Sequence, residues 1–218
     1  MFIGHFAPAL AAAAISPRAP KLGTLFVAAQ LVDWAFFTLA IIGIEKMRLV
    51  PGITVMVPFD LYHMPYTHSL LGTAVAAIIF GLIVLSWLRD GAAAILAGMV
   101  VISHWLLDFL VHRPDLTLAG SPPKLGLGLW NYPWLEIPLE LGITLLAFYW
   151  YMRRTRGPVG PALILLVLLL VMQAVNWFGP APQVAGLALY LSAMAAFAVA
   201  TIFARWVGTT RWHKRSRG

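Results

Sequence analysis

Six stretches of this chain, 22–44, 69–88, 92–112, 134–152, 161–178 and 184–205, run long and apolar with few charges inside them. A helix needs about 20 mostly apolar residues to cross the hydrocarbon layer of a membrane. Runs of that length, repeated six times, exclude a soluble domain. They predict an all-α fold, a polytopic helical membrane bundle with six long transmembrane helices. A shorter apolar segment, 2–15, precedes them, and its length suits a re-entrant or interfacial helix, or a short seventh span. Composition agrees, with 61% hydrophobic and 11% charged residues. Clusters of Pro and Gly at 16–23, 50–58, 121–128, 156–161 and 178–183 mark the breaks between segments. No soluble domain or repeat interrupts the pattern, so 1–218 reads as one membrane domain. The stretch "MFIGHFAPALAAAAISP" has no basic residues ahead of its apolar run, which predicts a retained segment and not a signal peptide.

The net charge of +7 invites a nucleic-acid reading, but the positions of the charges argue against it. Basic residues gather in "RRTR" (153–156) and in the tail "RWHKRSRG" (211–218), each beside an apolar run. Such clusters set topology and contact anionic lipid. With the C-terminus in the cytoplasm and the six segments alternating, eleven of the 15 Lys and Arg fall on the cytoplasmic side, in 18–21, 89, 153–156 and 205–217. The remaining four are Lys46, Arg48, Arg113 and Lys124. This bias predicts an integral protein of the plasma (inner) membrane, with loops 45–68 and 113–133 on the outer face.

Against that apolar background the ionisable residues stand out. In "SHWLLDFLVH" (103–112), His104, Asp108 and His112 follow one another at intervals of four. Four residues advance a helix by about 400°, so the three stay on one face. Asp115 joins that face if the helix continues past Pro114. A second cluster lies in "DLYHMPYTHSLLG" (60–72), where Thr67 is the expected N-cap and His68 with Ser69 opens the next span. Both clusters fall at the same predicted boundary. His5 in the short first segment, Asp33 in "LVDWAFF", and Glu136 with Glu140 in "WLEIPLELG" are further polar groups within apolar surroundings. Ionisable groups at such depth mark function by default, although any one of them can instead hydrogen-bond a neighbouring helix. Glu45, Asp60, Asp90 and His213 sit in loops or the tail and read as solvated. The aromatics of "LWNYPW" (129–134) read as an interfacial belt or as the lining of a substrate entrance.

With no cysteine in the chain, any metal must rest on imidazole and carboxylate. Such donors suit a divalent ion, Zn²⁺ first and Mn²⁺ or Fe²⁺ next. A bound metal lowers the pKa of its water and favours hydrolysis of an ester or phosphoester. Spare imidazoles, His63 or His112, then serve as proton donors to the leaving group, with Glu136 the third candidate catalytic group. A site inside the membrane implies a lipid or another membrane-associated molecule as substrate.

"THSLLG", followed about thirty residues later by "SHWLLDFL", resembles the LexA-binding, inner-membrane-associated family of metal-dependent hydrolases. That family is prokaryotic and multi-pass, and its motifs fall on residues 1–115 of this chain. The resemblance implies His5, Asp33, His68, His104 and Asp108 as metal ligands, His68, His104 and Asp108 forming the core. "LVDWAFF" has one acid where the family has two, and His63 lacks the arginine that follows it there. The competing readings are a metal-ion or proton transporter built on the same groups, and a scaffold that binds haem through paired histidines.

Overall fold

The computed structural model describes residues 1–214. The tail beyond, including Arg215 and Arg217 that the charge count assigned to the cytoplasm, lies outside the described residues. Helices dominate. After a 3₁₀ turn at Ile3–Phe6 come α1 (Ala7–Ile15), α2 (Leu22–Ala29), α3 (Leu31–Ile41), α4 (Leu70–Leu88) and α5 (Gly91–Val111). They are followed by α6 (Pro133–Arg154), α7 (Val159–Phe178) and α8 (Leu187–Thr210). Among the described residues three short antiparallel strand pairs lie between and after the helices: β1 (Lys46–Leu49) with β2 (Phe59–His63), β3 (Leu116–Thr117) with β4 (Lys124–Leu125), and β5 (Thr155–Arg156), before α7, with β6 (Trp212–His213), after α8.

The all-α architecture with several apolar helices agrees with the sequence reading, while the count of six long spans is not confirmed. Four helices, α4, α5, α7 and α8, are long and apolar enough to cross a membrane. The segment 22–44 is a fifth only as a bent pair, because α2 and α3 meet at 51° on either side of Gln30. The segment 134–152 is a 22-residue helix, α6, whose apolar run is interrupted by Glu136 and Glu140 near its start and Arg153 and Arg154 at its end. On α4, α7 and α8 the large apolar side chains that point outward, among them Ile78, Leu82, Ile164, Val171 and Ile202, are exposed. A contiguous surface of that kind is a liability in water and is matched by lipid tails.

The short first segment does not lie on the surface of the bundle. Residues 3–14 are buried almost throughout, and α1 runs through the middle of the bundle against α2, α5 and α6. The sequence "APALAAAAI" explains the fit, since alanine lets neighbouring backbones approach closely. α4 and α5 form a tight antiparallel hairpin for a related reason. A Cβ added at Gly81 or Gly98 would lie 3.2 Å from the carbonyl of Ala94 or Ala77 on the facing helix.

The loops sort to two ends. At one end, loop 45–69 and loop 112–132 knit into a single cap over the start of α4: Met56 N–H donates to the Trp130 carbonyl at 3.0 Å, Arg113 pairs with Asp60, and Leu71 N–H of α4 donates to the Leu118 carbonyl at 2.9 Å. At the other, Arg18 pairs with Asp90, Arg154 reaches the Ala14 carbonyl, and His213 meets the Ala13 carbonyl at 2.7 Å.

Candidate metal centre

The capped end holds the ionisable cluster, and four separate pieces of chain build it. α5 supplies His104 and Asp108 from its last two turns, with His112 as its C-cap residue. The α4 end supplies His68, just ahead of the N-cap. That cap is Ser69, whose hydroxyl accepts from Gly72 N–H at 3.0 Å; Thr67, the expected cap, is committed elsewhere. The 3₁₀ turn supplies His5, and the first turn of α3 supplies Asp33. A carboxylate is favoured at that helix start by the N-terminal dipole.

Asp108 is the hub. Its Oδ2 lies 3.1 Å from His104 Nε2 and 3.6 Å from His68 Nε2. Its Oδ1 lies 3.0 Å from His5 Nε2, 3.5 Å from His112 Nε2 and 3.4 Å from the Met1 amino group. Asp33 Oδ1 faces His68 Nε2 at 3.4 Å and His104 Nε2 at 3.5 Å. The rings of His5 and His104 stack at 3.8 Å, nearly parallel. Every member is buried except Asp33, whose side chain keeps 20% of its surface and so marks the open approach to the cluster.

What turns this from a polar knot into a ligand set is the outward side of each ring. His104 Nδ1 is 2.8 Å from the Ala29 carbonyl, which can only accept, so the ring proton sits on Nδ1. His68 Nδ1 meets the Thr67 hydroxyl at 2.9 Å, and that hydroxyl donates onward to Glu45. His112 Nδ1 meets Asp115 at 2.9 Å. Three imidazoles are thus held by outer oxygens with Nε2 aimed inward, the arrangement that orients metal-bound histidines. With the ring neutral, His104 Nε2 and Asp108 Oδ2 consequently face each other as two acceptors, and among the described residues neither has a hydrogen-bond partner. Both Nδ1 and Nε2 of the buried His5 also lack a hydrogen-bond partner. Donors about 2.1 Å from a shared tetrahedral ion stand about 3.4 Å apart, and the separations here bracket that value. Two overlapping triads, His5–His104–Asp108 and Asp33–His68–His104, bring all their donor atoms within 4.8 Å of one another. The buried His/Asp group is therefore able to bind a metal ion.

The break at Gln30 is part of the construction. Ending α2 there leaves its last carbonyls without helical partners, and Ala29 gives its carbonyl to His104. The same break places Asp33 in a first turn. Nothing in "FVAAQLVDW" announces it, because the stretch holds neither Pro nor Gly.

Other sequence expectations fall differently. His63 ends β2 opposite Lys46 and is exposed, as is Tyr62 beside it, so it stands outside the cluster. Glu136 and Glu140 share the buried face of α6, as their spacing predicts, one layer behind His5. Glu140 accepts from Phe2 N–H at 2.6 Å and Gly4 N–H at 2.9 Å and takes Gln173 on its other oxygen. It thereby holds the 3₁₀ turn that carries His5. Glu136 is buried beside it with one oxygen unpartnered. Asp115 does not extend the α5 stripe, since the helix ends at Val111; it reaches His112 from the following loop. Glu45 and Asp60 are buried and not solvated. Glu45 accepts from Tyr66 and Thr67 N–H at 2.9 and 3.0 Å, and Asp60 pairs with Arg48 and Arg113. Of the "LWNYPW" aromatics, Trp130 packs 4.2 Å from His112, whereas Tyr132 and Trp134 are exposed.

No model of a known family matches this chain, and no curated protein or solved structure does so either.

Proposed function

We propose that this protein is a membrane-embedded, metal-dependent hydrolase that cleaves an ester or phosphoester of a lipid or other membrane-associated substrate. The observation that carries the reading is the set of imidazoles whose Nδ1 atoms are tied outward and whose Nε2 atoms converge on Asp108. The likeness of "THSLLG" and "SHWLLDFL" to the LexA-binding, inner-membrane-associated hydrolases supports it.

His68, His104, Asp33 and Asp108 form an N₂O₂ donor set for a divalent ion, Zn²⁺ above Mn²⁺ or Fe²⁺. When bound, such an ion acidifies water and polarises the bond to be cleaved. The chain's own residues do the rest. The Ala29 carbonyl, Thr67 with Glu45, and Asp115 fix the ring orientations, and the apolar shell of Phe36, Trp105 and Trp130 limits water. Asp33, the exposed member, lies where a substrate would arrive across α3. By the distribution of Lys and Arg the cluster faces the outer side of the inner membrane, with the C-terminus cytoplasmic.

Transport by the same groups fits less well. Between the cluster and the opposite end lies packed apolar core, including Phe6, Leu10, Phe26, Leu165 and Leu169, and a permeating ion needs polar steps.

The test uses protein purified in lipid nanodiscs. Elemental analysis is expected to find stoichiometric metal in the wild type and none in H68A/H104A. Incubation with membrane lipid extract, followed by mass spectrometry, is expected to reveal a hydrolysed lipid whose formation stops with H104A or chelator. Metal retained in the double variant would falsify the site. Ion flux in proteoliposomes that D108N abolishes, with no lipid consumed, would transfer the cluster to transport.

A further inference from the structure

We infer that the cluster holds two divalent ions, bridged by Asp108, and that His5 and His112 belong to the second. This rests on the reading that the cluster binds metal at all.

The argument begins with counting lone pairs. A neutral imidazole offers one ring nitrogen to one ion, and His104 appears in both overlapping triads. It can serve only one. His104 and His68 face the same Asp33 oxygen, at 3.5 and 3.4 Å, and the same Asp108 oxygen, Oδ2, at 3.1 and 3.6 Å. Those four donors complete a tetrahedral shell for a first ion. Two inward imidazole nitrogens are then left over, and both address the other carboxylate oxygen. His5 Nε2 is 3.0 Å and His112 Nε2 3.5 Å from Asp108 Oδ1.

Neither leftover ring is explained by packing alone. His5 is 1% exposed, yet neither of its nitrogens makes a hydrogen bond, even with Asp108 so near. His112 is oriented by Asp115 in the way His68 is by Thr67. A carboxylate with two imidazole nitrogens on each oxygen is the bridging arrangement of two-metal sites, whose ions stand about 3.5–4 Å apart. The two positions differ in quality. The second has three protein donors, and His5 has no acceptor on its Nδ1. Loss of such an outer partner lowers affinity by about 10–100-fold, so the second ion is the weaker and more exchangeable.

Mn²⁺ is the probe, because two carboxylate-bridged Mn²⁺ ions couple magnetically and a single ion does not. The protein is purified in nanodiscs with any tag at its C-terminus, since the Met1 amino group lies against Asp108 Oδ1. It is titrated with Mn²⁺ while bound metal and electron paramagnetic resonance are recorded. The expected result is two ions per chain, filled in two phases, and a coupled spectrum at saturation. H5Q and H112A should each hold one ion with an uncoupled spectrum. D115N keeps the His112 ring and guards against misfolding in H112A; it should weaken only the second phase, by about 10–100-fold. One ion at saturation in the wild type, unchanged by H5Q, H112A and D115N, overturns the bridge and leaves the first site standing. Two coupled ions surviving in H112A overturn the assignment of His112. No bound ion in the wild type overturns both this inference and the function on which it rests.

Discussion

The two ends of the bundle handle charge in opposite ways. At the capped end, His5, His68, His104, Asp108, His112, Asp115, Glu45 and Asp60 are all buried. At the other, Arg18 and Asp90 pair at the surface, and the last turn of α6 carries Arg153 and Arg154. Burial by itself does not separate the two. Arg211 is also buried, at the basic end, but its guanidinium donates to the Thr155 hydroxyl and to the carbonyls of Thr155, Gly157 and Pro158. Every one of those contacts pairs a donor with an acceptor. In the cluster, acceptor faces acceptor, at His104 Nε2 and Asp108 Oδ2. A buried polar group without a partner costs several kcal/mol. A bound cation between the two removes that cost, as does a second ring proton on His104. The distinguishing sign of the candidate site is thus the mismatch, more than the depth.

Breaking the contrast at its strongest point means removing the hub. D108N is expected to reduce bound metal from stoichiometric to near zero while the protein still elutes as a folded particle; elemental analysis after gel filtration checks it. One layer outward, T67V takes away the acceptor for His68 Nδ1, and E45Q weakens the group that orients Thr67. Each is expected to lower metal affinity by about 10–100-fold, read from competition with a chelating dye.

At the basic end the same kind of deletion should act on stability and leave metal alone. R211M strands the Gly157 and Pro158 carbonyls and is expected to cost about 1–3 kcal/mol, seen as earlier thermal unfolding at unchanged metal content. A fall in metal content with R211M would erase the distinction between the ends. The smallest effect belongs to the exposed pair. Arg18 and the N–H groups of Ala92 and Ala93 hold the Asp90 carboxyl at about 2, below its ordinary 3.8. Because the folded-state value is depressed, this contact stabilises the fold above pH 3.8 and loses that effect as pH falls toward 2. R18Q should flatten the dependence of melting temperature on pH in that window, and only slightly, as an exposed pair contributes little.

Much of this was legible from spacing. Apolar runs fixed the helical class, and intervals of four put His104, Asp108 and His112 on one face. The invisible parts depend on groups that have no signature of their own. A backbone carbonyl at Ala29 cannot be told from any other, and the bend that frees it follows no Pro or Gly. Glu45 and Asp60 look like loop residues because sequence position says nothing of the cap folded over them. The helix that would carry Asp115 onto the same face stops at Val111, before Pro114, and Ser69 fills the capping role that Thr67 also suits. The sixth span is not confirmed for a simpler reason: the glutamates that break the apolar run of α6 are the ones needed inside, where Glu140 grips the turn bearing His5.

The short central helix has a consequence for how the molecule is made. Residues 1–15 are synthesised ahead of α2–α5, yet α6 and α7, which close around them, come only after α5. Until then α1, at nine residues, is too short to span a bilayer unaided. His68, His104 and Asp108, by contrast, become neighbours as soon as the α4–α5 hairpin inserts. Assembly therefore brings part of the cluster together in mid-translation and completes it with a segment made earlier, leaving the side at Asp33 as the approach to the finished cluster.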